Sequence, residues 1–444
     1  MAEQQIRPEA ETSARPAGAS SFPRPKPELL APAGGMDQLR YALYYGADAV
    51  YLAADRFGLR QRASNFSLDD IPAAVAFAHE HGGKVYVTCN VLMESGDLQT
   101  LPAYLEALDA AGADAVIVSD LGALRLAQRH APRLAVHVST QASVANAESA
   151  SVWHELGASR IVCAREMSVA DIAEMRAHIP AELELEVFVH GAMCMAVSGR
   201  CLISDYLAGR SGNKGNCTQP CRWHYRMEYR VEEEYRPGEW MPIEEDDRGA
   251  YLFNARDMNM LAHLDDLRAA GVDSLKIEGR NKKAFYVATV VNAYRQVLDG
   301  ADPAAFAPEL EAISHRPYST GFYYGRGQQA PQQDGYLQGC LHAATVEACE
   351  LAEGAEGTTP SYRATVRCHN RFCEGGVLEV VSPHEPVRSL EVRGLHLLHE
   401  EEDAESWLEK VPVANRSMDR YVFDAPFELR EHDLLRARKE PKGE

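Results

Sequence analysis

Four of the ten cysteines fall within one short stretch, at Cys194, Cys201, Cys217 and Cys221, spaced C-x6-C-x15-C-x3-C. Thiolates are soft ligands, suited to zinc, copper(I) or iron–sulfur clusters. Four from one loop can close a tetrahedral zinc site or hold a 4Fe-4S cluster. Structural zinc usually draws on paired short knuckles, and only Cys217-Thr-Gln-Pro-Cys221 has that form. Gly199, Gly209, Gly212 and Gly215 allow the tight backbone that close approach to a cluster needs. The spacing therefore points to metal, with cluster and zinc both open. The remaining cysteines (Cys89, Cys163, Cys340, Cys349, Cys368 and Cys373) are scattered and read as small buried hydrophobes.

A loop must be positioned by something. The phrases GADAVYLA, GADAVIVSD, GASRIVCAR and GVDSLKIEGR each follow an amphipathic stretch and form a weak internal repeat. Each reads as a helix ending at Gly, then a strand of consecutive apolar residues. Eight strands are expected, at 28–34, 49–53, 84–90, 115–120, 135–140, 160–165, 185–191 and 274–280. Helices are expected at 37–45, 69–81, 98–111, 121–130, 146–156, 168–178, 257–269 and 283–298. This predicts an α/β fold, a (β/α)8 TIM-like barrel over 28–314, with an open doubly wound sheet as runner-up. The cysteines then lie in an abnormally long loop after strand seven (192–256), which includes an acidic hairpin insertion at 225–254. Barrel enzymes place their chemistry on the loops that follow the strands. Residues 315–334 read as a connector, and 335–444 as a small all-β barrel or sandwich. Residues 1–27, rich in Pro, Ala and Ser with no apolar leader, read as a disordered tail, and the location as cytoplasmic.

The composition is that of a globular chain, 46% hydrophobic and 25% charged, with no run long enough for a membrane span. The net charge of −20 gives no overall basic footprint for nucleic acid. Two locally basic stretches stand out: Arg200, Arg210, Lys214, Arg222 and Arg226, then Lys276, Arg280, Lys282, Lys283 and Arg295. They predict either a basic face or ordinary solvated side chains.

The segments EVFVHGAMCMAVSGRCLIS (186–204) and GNCTQPCRW (215–223) carry a resemblance to the collagenase-like peptidase family U32. ELLAPAG (28–34), SLKIEGR (274–280) and SHRPYSTGFYYG (314–325) extend it. The resemblance is nearest to the branch that hydroxylates tRNA. It implies oxygen-independent formation of 5-hydroxyuridine at the wobble position, with prephenate as hydroxyl source and co-substrate. It also implies that Cys194, Cys201, Cys217 and Cys221 bind a 4Fe-4S cluster. Sister branches act on ribosomal RNA or on ubiquinone precursors.

The peptidase label invites a chemical check. No H-E-x-x-H and no G-x-S-x-G occurs, although Cys194 follows His190 by four residues, as a thiol–imidazole pair would allow. At the strand ends, His190, Glu278 and Arg280 are candidate catalytic groups. His190 reads equally as a structural histidine, and Arg165, Glu166, Glu278 and Arg280 equally as barrel-top ion pairs. Arg60, Arg62, Arg165 and Arg280 are candidate forks for a dicarboxylate. Gln141 is a candidate pocket residue, and Asn90 and Asp120 are weaker ones. Trp223 and Tyr225, beside Arg222 and Arg226, either stack on an unpaired base or pack the cysteine loop.

Overall fold

The computed structural model describes residues 25–59, 65–194, 196–201, 203–223, 255–325, 327–328, 336–352, 362–400 and 406–439, and four two-residue strands between 231 and 250. Residues 1–24 of the expected tail, with Arg60, Arg62, Tyr225 and Arg226, lie outside the described residues, as does most of the acidic insertion. Its described strands pair as two short antiparallel hairpins.

The first seven strands are β1 (Glu28–Pro32), β2 (Ala49–Leu52), β3 (Lys84–Cys89), β4 (Ala115–Val118), β5 (Ala135–Val138), β6 (Arg160–Val162) and β7 (Glu184–Ala192). After β8 (Asp257–Asn259) comes β9 (Ser274–Ile277). Strands β1 to β7 and β9 pair in parallel, and β9 pairs with both β1 and β7, so the barrel is closed. Parallel strands covered by helices need no polar face, which explains the fully buried runs of β2, β4 and β9. The helices are α1 (Met36–Tyr44), α2 (Ile71–Glu80), α3 (Ser95–Ala111), α4 (Leu121–His130), α5 (Ala147–Glu155) and α6 (Val169–His178). After the cysteine loop's short α7 (Ile203–Ala208) come α8 (Leu264–Ala269), α9 (Ala284–Leu298) and α10 (Pro303–Ala312).

One expected helix is wrong in its first half. The sequence pattern predicts helix throughout 257–269, yet Asp257–Asn259 forms β8, antiparallel to the end of β7. The cause is the length of β7. It runs past the barrel rim, and its open backbone edge takes up β8, which in turn pairs with β10 (Tyr318–Ser319).

The barrel interior is partly charged. Glu28, Arg160, Glu186 and Lys276 form a network: Arg160 meets Glu28 at 2.6 Å and Glu186 at 3.0 Å, and Lys276 meets Glu186 at 2.7 Å. Burial alone would raise the Glu186 carboxyl, but Lys276 and Arg160 outweigh it and hold it down at about 2. From Cys340 onward the chain forms an eight-stranded antiparallel sheet with its own core, including Val346, Val366, Leu378 and Phe423. It is fastened to the barrel by Arg436, which is buried and pairs with Glu309 of α10 through two bonds of 2.6 and 2.8 Å. Among the described residues, no helix is long and apolar enough to cross a membrane.

Candidate active site

The cysteine loop begins where β7 ends. Gly191 has φ +105°, and a Cβ there would lie 2.5 Å from the Glu278 carbonyl oxygen. Only glycine lets the two rim segments approach so closely. Beyond it the loop is stitched to its neighbours. Glu166, after β6, accepts from the backbone N–H and the hydroxyl of Ser198 at 2.6 and 2.7 Å. Those bonds hold Ser198 in a left-handed conformation, φ +43°. Lys214 pairs with Asp97 of α3 at 2.6 Å and with Glu94 at 3.3 Å. The Asn213 carboxamide brackets Cys201, accepting from its N–H at 3.1 Å and donating to its carbonyl at 3.2 Å. The Asn213 carbonyl accepts from Leu92 N–H at 2.9 Å, tying the loop to the segment after β3.

Held in this way, Cys194, Cys201, Cys217 and Cys221 all line one cavity of about 240 Å³ at the C-terminal end of the barrel. Arg165, Glu278, Arg280, Gln141, Asn90 and Lys276 line the same cavity. The thiol set suits a cluster. Cys201 Sγ accepts from Ile203 N–H at 3.4 Å, and Cys217 Sγ accepts from Gln219 N–H at 3.3 Å. Such bonds stabilise thiolate sulfur and tune cluster potentials. Among the described residues, no three His, Cys, Asp or Glu side chains close around a single ion-sized point. Four thiols lining one cavity are soft ligands of the kind that zinc or a 4Fe-4S cluster takes.

The strand-end residues divide sharply. Arg165 donates to the Ala192 carbonyl at 3.1 Å and to Glu278 at 3.3 Å, with its guanidinium 3.8 Å from the Phe188 ring centroid. Arg280 is buried and donates to the Thr88 hydroxyl at 2.9 Å. Gln141 is buried at the wall, on a short turn capped by the Ser139 hydroxyl. Asn90 donates to the Ser139 hydroxyl at 3.1 Å. Asp120 instead caps α4, accepting from Ala123 N–H at 3.0 Å. Trp223 is exposed beside the loop, its indole N–H donating to the Thr218 carbonyl at 2.9 Å, and it does not line the cavity.

His190, one of the candidate catalytic groups, does not line the cavity. It is buried outside the cavity among Tyr286, Tyr294 and Tyr318, with Tyr294 Oη 3.4 Å from its Nδ1. Burial, then the nearby His315 and Lys282, push it down to about 3, so it stays neutral. The reason is a register shift between Lys276 and Ile277, where β7 contributes an extra residue. Phe188 faces the cavity, but the bulge turns His190 outward. Cys194 lines the cavity that His190 does not. The second basic stretch is likewise not a face: Lys276, Arg280 and Arg295 are buried.

Three functional positions give no usable signal in the sequence. Lys276, inside β9, reads in the sequence only as one of a basic stretch, yet it lies on the cavity wall. Asn213 acts on the Cys201 backbone and Ser198 on the Glu166 carboxylate, pairings that no spacing rule reveals.

A closed parallel barrel with four thiols over its C-terminal mouth defines a barrel protein with a soft-ligand site at the catalytic end. The chain belongs to peptidase family U32, whose model matches residues 34–333. It is similar to tRNA hydroxylation protein P of Escherichia coli (strain K12), 34% identical over 400 residues, covering 81% of this chain and 86% of that one. It is similar to tRNA hydroxylation protein P1 of Bacillus subtilis (strain 168), 39% identical over 308 residues, covering 68% and 71%. A 23S rRNA 5-hydroxycytidine synthase of Escherichia coli (strain K12) is 35% identical over 319 residues, covering 67% of this chain and 45% of that one.

Proposed function

We propose that this chain is an RNA-modifying hydroxylase that acts on tRNA at C5 of the wobble uridine. In this reading prephenate is the hydroxyl source, dioxygen is not required, and the thiol loop carries a 4Fe-4S cluster. The observation that carries the reading is the convergence of four thiols with Arg165, Arg280 and Glu278 on one cavity. The names of the similar RNA hydroxylation proteins support the choice of RNA.

Cys194, Cys201, Cys217 and Cys221 would hold the cluster, which when bound supplies Lewis-acid or one-electron chemistry at iron. The chain's own residues do the rest. Arg165 and Arg280 present guanidinium forks suited to carboxylates, and Lys276 adds a third cation at the wall. Glu278 fixes the Arg165 fork and is the one carboxylate among the described lining residues, so it is the group placed to hold a proton. Gln141 and Asn90 offer amide edges for a base. Tyr51, Ile117 and Phe188 supply an apolar wall that excludes water.

Two measurements test the proposal. Mass spectrometry of tRNA nucleosides from a gene-deletion strain should show loss of 5-hydroxyuridine-derived nucleosides, and an unchanged profile contradicts the activity. Anaerobically purified protein should contain iron and acid-labile sulfide with a visible charge-transfer band. Zinc without iron contradicts the cluster.

A further inference from the structure

A second cavity, of about 650 Å³, lies between the barrel and the C-terminal sheet. Its barrel wall is α1 with the start of α9, and its other wall comes from strands Cys340–Leu351 and Tyr362–Cys368 and the segments near Met418 and His432. That volume is within the roughly 300–1,000 Å³ of ordinary ligand sites. Asn281 lines the first cavity and Lys283 the second, so the backbones of these two lining residues stand at most ~7 Å apart.

The lining has two features. Arg40, Lys283, Arg367 and Arg420 line it with Asp37, Glu347 and Glu431, and Arg420 also pairs with Glu400, so the charge around the cavity is balanced on a chain whose net charge is −20. Glu347 is itself clamped by two of these cations, Arg367 at 2.5 Å and Arg420 at 2.7 Å. The second feature is a stack of three rings. Phe285 lies 5.0 Å from His342 at an interplanar angle of 7°, and His342 lies 4.2 Å from His369 at 26°. Thr345 Oγ1 holds both imidazoles in place, 3.2 Å from His342 Nε2 and 2.9 Å from His369 Nε2. Burial, then His369, push His342 down to about 3, and burial lowers His369 as well, so both rings are neutral near pH 7.

Stacked neutral rings beside cations are what a protein offers an unpaired nucleotide: a platform for the base and charge for the phosphate. We infer that this interdomain cavity binds a single-stranded nucleotide of the RNA substrate, flanking the base that enters the barrel cavity. The inference rests on the reading that the substrate is RNA, and it makes the C-terminal sheet the source of half the platform. Lys283 provides phosphate charge from the barrel side, and His369 provides stacking surface from the sheet side. An acidic protein needs such a site, because its overall field repels a polyanion.

The test uses the full chain and an unmodified anticodon stem-loop transcript, with binding measured by fluorescence anisotropy at several salt concentrations. His369→Ala should raise the dissociation constant roughly 5- to 100-fold, the size expected for one lost stacking platform. His369→Phe keeps a ring and should stay within about threefold of wild type. Lys283→Ala should lower the slope of log affinity against log salt by about one. Lys410→Ala, on the exposed strand Trp407–Lys410, should change nothing. Iron content should be equal in all four variants. If the wild type binds the transcript and both His369→Ala and Lys283→Ala match it in affinity and salt slope, the cavity assignment is wrong while the hydroxylase reading stands. That outcome is also the one expected of a cavity built for a protein partner. If the wild type binds no RNA, both readings fail.

Discussion

Replacing Asn213 by alanine isolates the device that presents Cys201 to the cavity. The side chain makes two bonds to one residue, from Cys201 N–H at 3.1 Å and to its carbonyl at 3.2 Å, while its own carbonyl takes Leu92 N–H. Each bond contributes about 1 kcal/mol net, so their loss favours the opened loop by ~2 kcal/mol, or roughly 30-fold. The barrel core is untouched, because Asn213 packs on the rim and belongs to no barrel strand. The assay is iron release from anaerobically purified protein into excess chelator, followed by absorbance. Asn213→Ala should release iron roughly 30-fold faster when opening precedes release, with the urea midpoint of the barrel nearly unchanged. Asn213→Asp keeps the acceptor, loses the donor, and should fall between. Equal release rates for wild type and Asn213→Ala, from a wild type that does hold iron, would refute the idea that this amide positions the ligand.

Four further outcomes are expected. Cys217→Ser should lose most of its iron and sulfide while circular dichroism of the barrel is retained, since the ligand lies on the loop and not in the core. Gly191→Ala should destabilise the fold by at least ~1–3 kcal/mol in urea melts, because it forces a side chain into the left-handed region 2.5 Å from the Glu278 carbonyl oxygen. Arg280→Gln should raise the KM for the dicarboxylate about tenfold or more with iron content unchanged, because it removes a charged fork from the cavity wall. The pH dependence of stability follows from buried histidines. His190 and His342 are each pushed down to about 3, so the folded state favours their neutral forms. Their stabilising contribution is whole above the unfolded value of about 6.5 and is lost as pH falls from there toward 3, at up to ~1.4 kcal/mol per histidine per pH unit. His190→Gln should therefore flatten the stability curve between pH 6 and 4, which chemical denaturation at stepped pH will read.

Charge was the least transparent property of this sequence. Lys276, Arg280 and Arg295 looked like part of a basic surface, and all three are buried. Lys276 is balanced by Glu186, ninety positions away in sequence, and Arg295 by Asp48 and Asp299. A window of sequence counts charges but cannot see which partner a closed barrel brings opposite each one. Lys283, from the same stretch, is exposed and lines a cavity whose other wall is built by the C-terminal sheet.

The sequence by itself determined the barrel and the loop. Eight apolar runs, several preceded by a helix ending at Gly, have few ways to bury both faces except as a helix-covered parallel sheet, and four close-spaced cysteines advertise a soft-metal site wherever the chain places them. What only the tertiary structure decided was direction and convergence. Strict alternation along β7 would have turned His190 inward after Glu186 and Phe188, but one extra residue in its pairing with β9 turns it out among three tyrosines. Whether a strand carries a bulge depends on the partner strand and on close contacts such as Gly191 against Glu278, which are fixed only when the barrel closes. The same closure brings Arg165, Glu278, Arg280 and Lys276 from two strand ends under the cysteine loop. Arg165 stands more than a hundred residues before the other three; the strand-end pattern places Arg165, Glu278 and Arg280 at one rim, but that Arg165 pairs with Glu278 is decided only by the closed barrel.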